Sequence, residues 1–171
     1  MPAARDFTMT RIFDSPRALV YEAWTDPRQL ARWWGPKNFT NPICQTDVRP
    51  GGAHRIVMRG PDGVDYPIKG FYREVKENER LVLTNDLSEN PESWHDIVNP
   101  ERDRSKGRPS FASIETVKFE DAGSGKTRLT IQMHFEQAQD RDALLKTGMN
   151  EGWSQSLDRL GELLSAKGAA S

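Results

Sequence analysis

Glu115 is the residue in this sequence best suited to acid–base chemistry. Glu115, Val117 and Phe119 alternate with other residues in the segment 110–120, so in a strand their side chains share one face. If that face is inward, Glu115 is a buried carboxylate, which needs a hydrogen-bonding partner or a shifted pKa. If the strand is half exposed, Glu115 is solvated. An enzyme built on this chain would have to pair Glu115 with a tyrosine.

The other residue types associated with catalysis or metal binding lack the spacing that such sites require. The three histidines, His54, His95 and His134, lie in different segments without metal-ligand spacing. Cys44 has no neighbouring base, so we interpret it as a small buried hydrophobic residue and not as a nucleophile. No serine stands in a nucleophile-elbow motif. We therefore expect no catalytic residue, no metal site and no cofactor.

The composition favours a cytoplasmic globular protein. Of the 171 residues, 36% are hydrophobic and 29% are charged, and the formal net charge is −1. No stretch approaches the ~18 apolar residues of a membrane span, and the first residues lack the apolar core of a signal peptide. No lysine and arginine cluster is interleaved with aromatics, which argues against nucleic-acid binding. The lone cysteine fits a reducing cytoplasm, and the length fits one domain over 1–171, with an ordered core at about 6–166.

Two short helices are predicted directly after a first strand at 7–13. Ser15 and Pro16 predict the start of the first helix, as N-cap and N1 residues. Asp26 caps the second helix, with Gln29 as its capping-box partner, and Gly35 ends it. Helices of so few turns are marginal alone, so both must dock on a larger surface.

That larger surface is predicted to be an antiparallel sheet. β-Branched and aromatic residues, separated by turn signals, predict strands at 41–49, 53–59, 64–76, 80–86, 110–120 and 126–136. Short connections between consecutive strands favour an antiparallel meander. The segment 87–109 is rich in charge and proline and is interpreted as an irregular loop, in which Trp94 either fixes the loop or caps a pocket.

The chain ends in a predicted long amphipathic helix from about 140 to 165. Apolar residues recur there every three or four positions, with charged residues on the opposite face. Gly148 and Gly152 are four residues apart in this segment. Either they allow close packing against the sheet, or their missing side chains leave space for a ligand, with Met149 and Trp153 as adaptable walls.

The sequence resembles the helix-grip fold of the START/Bet v-like superfamily, also called SRPBCC. The motifs "RIFDSPRALVYEAWTDPRQLARWWGP", "DVRPGGAHRIVMRGPDG", "GFYREVKENERLVLT" and "GWSQSLDRLGELL" resemble the branch named after the activator of a heat-shock chaperone ATPase. The resemblance implies an α+β fold in which a curved antiparallel sheet of six to seven strands surrounds a long C-terminal helix. Two short helices follow the first strand and close one end of a cavity.

This arrangement gives the adjacent tryptophans Trp33 and Trp34 a place between the sheet edge and the long helix. With Leu30 they lie at i, i+3 and i+4, on one helical face. We expect at least one of them to belong to the core. Of the two, we expect Trp34 to contact a ligand, because an aromatic ring at the mouth of a cavity can stack on a bound molecule.

The leading functional hypothesis is a small-molecule binding protein that holds a hydrophobic or aromatic ligand between the sheet and the C-terminal helix. Strand parity and helical spacing predict ligand contacts by Trp34, Met58, Tyr66, Ile68, Tyr72, Glu115, Ile131, Met133, Met149, Gly152 and Trp153. The resemblance also allows a polyketide cyclase or hydrolase, or an interaction module for a chaperone ATPase. We favour binding over catalysis, with a hydrophobic small molecule as the partner, no membrane or nucleic-acid partner, and a homodimer as an allowed assembly.

Overall fold

Seven antiparallel strands form one curved sheet in the computed structural model, which describes the backbone of residues 2–170 and the side chains of residues 4–167. The strands are β1 (Asp6–Phe13), β2 (Thr40–Thr46), β3 (Ala53–Arg59), β4 (Asp65–Lys76), β5 (Arg80–Asn85), β6 (Ser113–Gly123) and β7 (Lys126–Phe135). Their order is β1-β7-β6-β5-β4-β3-β2. Consecutive strands from β2 to β7 therefore form the predicted meander, and β1 adds at the far edge beside β7.

Five α-helices accompany the sheet in the described part of the chain. They are α1 (Arg17–Thr25), α2 (Pro27–Trp33), α3 (Glu92–Val98), α4 (Ala138–Lys146) and α5 (Met149–Ala170). The α+β helix-grip prediction is confirmed, with two short helices after β1 and a long C-terminal helix. Helix α2 packs on β2 and α5, and α1 packs on β6.

The start of α2 follows the sequence prediction, whereas the start of α1 does not. The Asp26 carboxylate accepts a hydrogen bond from the backbone N–H of Arg28 at 3.0 Å, so Asp26 is the N-cap of α2. Helix α1 begins at Arg17 with Pro16 at its N-cap and no side-chain cap. The carbonyl oxygen of Ser15 instead accepts from the Thr127 hydroxyl at 2.6 Å. Ser15 therefore joins β7 to the start of α1.

The predicted helix from about 140 to 165 is divided at Gly148. Helix α4 ends at Lys146, and Gly148 follows with a φ of +103°, a conformation that residues other than glycine rarely adopt. The N–H of Thr147 donates to the carbonyl oxygen of Leu144 at 3.2 Å, which tightens the last turn. Gly148 is thus a helix stop and not a small residue on the face of α5. The apolar spacing continued through it because α4 and α5 both bury one face.

The segment 87–109 is ordered by α3 and a buried arginine, contrary to the prediction of an irregular loop. The Arg102 side chain is only 4% exposed and forms ion pairs with Glu92 and with Asp96. It also donates to the carbonyl oxygen of Gly107 at 3.3 Å. Because one guanidinium contacts both α3 and the residues after it, the segment is folded on itself.

Residue Glu89 attaches the start of this segment to the sheet. Its carboxylate contacts Arg55 of β3 at 3.0 Å and Lys69 of β4 at 2.8 Å. These pairs are partly exposed, so each contributes modestly. Together they hold 87–91 over the β3–β4 end of the sheet.

Arg159 of α5 joins the tandem helices to the long helix. Its guanidinium donates to carbonyl oxygens at and after the end of α2, namely those of Arg32 (3.0 Å), Trp34 (3.0 Å), Gly35 (2.9 Å) and Pro36 (3.0 Å). The last carbonyls of a helix lack intrahelical donors and carry partial negative charge. Arg159 thus caps a neighbouring helix and fixes its position on α5.

Leu157 provides the test of the buried face of α5. It is fully buried, as are Leu160 and Val117 of the same hydrophobic core. We expect Leu157→Ala to lower the free energy of unfolding by about 2–5 kcal/mol in urea denaturation, because it removes core contacts and leaves a cavity. The exposed Ser165→Ala is the matched control and should change stability by less than about 0.5 kcal/mol. Equal small effects for both variants would contradict this orientation of α5.

Substitution of Arg159 tests the cap across helices. Arg159→Met keeps the aliphatic stem but leaves the α2 carbonyls without their donors. We expect a loss of about 1.5–3 kcal/mol in the free energy of unfolding, the usual range for hydrogen bonds to a charged group. Arg128→Met, on an exposed position of β7, is the control for loss of one positive charge. If both variants are equally stable, the cap contributes nothing.

Candidate functional site

A cavity of about 390 Å³ lies between the sheet and α5, with α2 at one end. The sheet contributes Met58, Tyr66, Ile68, Asn85, Glu115 and Met133. The residues at the end of α2 contribute Trp34, Gly35, Pro36 and Phe39. The α4–α5 region contributes Leu144, Thr147, Gly148, Met149, Gly152, Trp153 and Ser156, and the segment 87–109 contributes Leu87, Asn90 and Trp94.

Most of the residues that the sequence nominated are brought together around this cavity. They are Trp34, Met58, Tyr66, Ile68, Glu115, Met133, Met149, Gly152 and Trp153. Gly152 lies on α5, where an added Cβ would meet only the Cγ of Pro36, at 3.8 Å. An added methyl group would therefore fit, and a longer side chain would extend into the open space.

Tyr72 and Ile131 do not line the cavity. Ile131 is fully buried in the core, at the centre of β7. Tyr72 is 3% exposed and lines a separate small pocket of about 20 Å³, next to the Glu115 carboxyl group. Strand parity correctly placed both side chains on the inward face. It could not indicate how far along the strand the core ends and the cavity begins.

The two adjacent tryptophans have different surroundings. Trp33 is fully buried and its Nε1 donates to the carbonyl oxygen of Ala23 at 2.9 Å. Trp34 is partly exposed and lies edge-on to Trp153, with ring centroids 5.2 Å apart. Trp24 stacks on Trp153, with ring centroids 6.1 Å apart. Trp33 therefore belongs to the core, and Trp34 forms the cavity wall.

Glu115 is buried and faces inward, so the solvated alternative is excluded. Its carboxyl group is fully buried, and one oxygen, Oε1, accepts a hydrogen bond from the Asn85 side chain at 2.8 Å. The second oxygen, Oε2, has no hydrogen-bond partner among the described residues. Burial raises the pKa of Glu115 to about 7, although the hydrogen bond from Asn85 acts in the opposite direction. Both protonation states of this group are therefore populated near neutral pH.

Several lining residues were missed by sequence reasoning. Asn85 was recoverable, because it continues the inward alternation of Leu81 and Leu83 at the end of β5. The signal for Trp94 was an aromatic residue in a polar segment. Its ring packs on Phe111, with centroids 5.4 Å apart. Asn90, Leu87 and Ser156 carried no such signal, since their positions depend on how 87–109 and α5 fold over the sheet.

His54, His134 and Cys44 have structural surroundings. His54 reaches the carbonyl oxygen of Thr84 at 2.7 Å, crossing Gly70, where a Cβ would lie 2.8 Å from the ring. His134 contacts Asp6 at 2.6 Å on the surface. Burial raises the pKa of the Cys44 thiol to about 11, which leaves it protonated and unreactive at neutral pH. Within the described residues, no group of three or more His, Cys, Asp or Glu side chains could hold a metal ion.

No helix in the described part of the chain is long and apolar enough to cross a membrane.

Comparison with solved structures identifies proteins of the same fold over nearly the whole chain. A protein of Nitrosomonas europaea is 27% identical with a TM-score of 0.80, and the match covers 99% of both chains. A protein of Mycobacterium smegmatis is 24% identical with a TM-score of 0.78, covering 98% of this chain and 95% of that one. An AHSA1 protein of Silicibacter pomeroyi is 23% identical with a TM-score of 0.71, covering 95% and 99% respectively. At 24% and 23% identity, the likeness to the last two proteins shows the fold alone.

The family comparison agrees with the motifs quoted from the sequence. A search of curated proteins gave no match. The family model described as "Activator of Hsp90 ATPase homolog 1-like protein" matches residues 14–165, which include α1, α2, six of the strands and most of α5. The chain belongs to the family of activator of Hsp90 ATPase homolog 1-like proteins, the branch of the SRPBCC superfamily that its sequence resembles.

Proposed function

We propose that this protein binds a small apolar or aromatic molecule in the cavity between the sheet and α5. The observation that carries the proposal is the cavity itself, with a volume of about 390 Å³. Protein interiors are close-packed, and pockets for small molecules have volumes of about 300–1,000 Å³. Open space of this size, lined mostly by apolar and aromatic side chains, favours a ligand.

The wall of the cavity suits an apolar ligand of variable shape. Met58, Met133 and Met149 line it from three elements, and methionine side chains adapt to irregular surfaces. Trp34 and Trp153 offer wide flat rings at the same wall. Small-molecule sites usually have many apolar lining groups and few polar ones, as this cavity does.

The buried carboxyl group of Glu115 also supports a binding role. An ionised carboxylate without a counter-charge is costly in the interior, and Glu115 Oε2 contributes nothing to the fold through a hydrogen bond. Groups that lower stability in this way are commonly retained for function. We propose that Glu115 orients the ligand, together with Tyr66 at the same cavity.

The cellular location and the assembly stay as the sequence predicts them. We propose a cytoplasmic protein, because the lone cysteine, Cys44, is free and fits a reducing compartment. A homodimer stays an allowed assembly.

Filling the cavity tests the proposed function. We expect the uncharged dye N-phenyl-1-naphthylamine to bind the wild type with enhanced fluorescence, and Gly152→Leu to weaken that binding at least about tenfold by occupying the space. Gly161→Leu is the matched control, because it adds the same side chain to α5 beside Phe13 and outside the cavity. Circular dichroism and urea denaturation verify that each variant is folded, since overpacking can cost about 1–3 kcal/mol. Binding that is absent from the wild type, or unchanged in folded Gly152→Leu, would overturn the proposal.

The pH dependence of stability tests the state of Glu115. Its pKa is about 7 in the folded protein, against an ordinary value of 4.5. The folded protein therefore holds the proton more tightly, and stability should fall as the pH rises from about 4.5 to 7. The difference corresponds to about 3 kcal/mol at most. We expect urea denaturation at about pH 5 and about pH 8.5 to show this loss in the wild type and a smaller one in Glu115→Gln. Parallel pH profiles would show that Glu115 titrates normally.

A further inference from the structure

We infer that the ligand is an organic cation, with an apolar or aromatic body and a protonated amine that contacts Glu115. This inference rests on the proposed function and names the chemical class of its ligand. It depends on three features of the cavity: its charge, its unpartnered acceptors and its aromatic walls.

The cavity contains a carboxyl group without a balancing base. Among the described residues that line it, Glu115 is the only acid, and no lysine, arginine or histidine is present. An anionic ligand would therefore meet no counter-charge and would be repelled by Glu115. A cation would supply the counter-charge that the buried carboxylate lacks.

The unpartnered polar atoms of the cavity lining are oxygens, which only accept hydrogen bonds when Glu115 is ionised. Oε2 of Glu115 and Oδ1 of Asn90 are both buried and have no hydrogen-bond partner in the described part of the chain. Both residues line the cavity. Buried acceptors in native proteins are almost always satisfied, so a ligand that reaches them should bring donors. An ammonium group brings three donors and no acceptor, whereas a hydroxyl group brings one donor.

Aromatic rings surround the same space. Trp34, Phe39, Tyr66, Trp94 and Trp153 line the cavity from the α2 end, the sheet, α3 and α5. The face of an aromatic ring attracts a cation, tryptophan most strongly, and the attraction is greater in a desolvated site. The walls that accommodate an apolar body therefore also attract a positive charge, and an anion would not gain this attraction.

Glu115 is the group whose charge changes near neutral pH at this site. Its titratable neighbours are Tyr66 and Tyr72 on β4 and His54 on β3, and the residues facing it from β5, β7, α2, α5 and 87–109 are uncharged. Burial raises the pKa of both tyrosines and lowers that of His54. All three therefore stay neutral between about pH 7 and pH 8. Binding of a cation should tighten over this range as Glu115 ionises.

Three naphthalene compounds that differ only in their head group provide the test. They are 2-(1-naphthyl)ethylamine, 2-(1-naphthyl)ethanol and 1-naphthylacetate, measured by isothermal titration calorimetry on the full chain. We expect the amine to bind about ten- to a hundredfold more tightly than the alcohol at about pH 8, and the carboxylate to bind most weakly. Glu115→Gln should abolish the preference for the amine over the alcohol. Glu151→Gln, which removes an exposed carboxylate from the first turn of α5, should keep the preference.

The uncharged dye separates failure of this inference from failure of the proposed function. If the dye binds the cavity but the amine binds no better than the alcohol, or if Glu115→Gln keeps the preference, the inference is overturned and apolar binding stands. If neither the dye nor any naphthalene compound binds the wild type, the proposed function fails, and the inference with it. An amine preference that does not increase with pH in the wild type would assign the attraction to the rings alone and contradict the role of Glu115.

Discussion

The contact on which the site depends is the one between Arg159 and the carbonyl oxygens at the end of α2. Helix α2 has seven residues, too few to persist in water without tertiary contacts. Its C-terminus ends where Gly35 adopts a positive φ of 93°, and the chain then turns along the cavity. By capping this end from α5, Arg159 fixes both the helix and the turn. The position of Trp34 follows from that cap, and so does the closed end of the cavity.

The adjacent tryptophans show how one short helix contributes to both the core and the site. Trp33 is buried and tied by its indole N–H to Ala23, which locks α2 to α1. Trp34, one residue later, leaves the helix and faces Trp153 across the cavity wall. Successive helical residues point about 100° apart, so the core contact of one determines the direction of the other. The packing of Trp33 in the core thus fixes the position of Trp34 in the cavity wall.

The fold was predictable from the sequence because its elements have clear boundaries and periods. Alternation in β3 and β7 placed Met58 and Met133 on the inward face, and the spacing of Leu157, Leu160 and Leu164 oriented α5.

What could not be predicted depends on contacts between distant segments. Periodicity gives the face of a strand but not its depth, so Ile131 was placed at the cavity although it lies in the core. The break at Gly148 preserves the apolar spacing, so the hydrophobic periodicity could not predict it. The order of 87–109 depends on the buried Arg102, whose ion pairs have no periodic signature. Asn90 became part of the site only through that fold.

The segment 87–109 supplies one wall of the cavity and is folded on itself by Arg102. Arg102 binds Glu92, Asp96 and Gly107, all of them inside the segment, and Glu89 makes its ion pairs to the sheet through side chains alone. Leu87, Asn90 and Trp94 line the cavity from this segment, and none of them belongs to a strand or to α5. Substitutions confined to this one segment would therefore reshape the proposed ligand site while the sequences of the strands and of α5 stay the same.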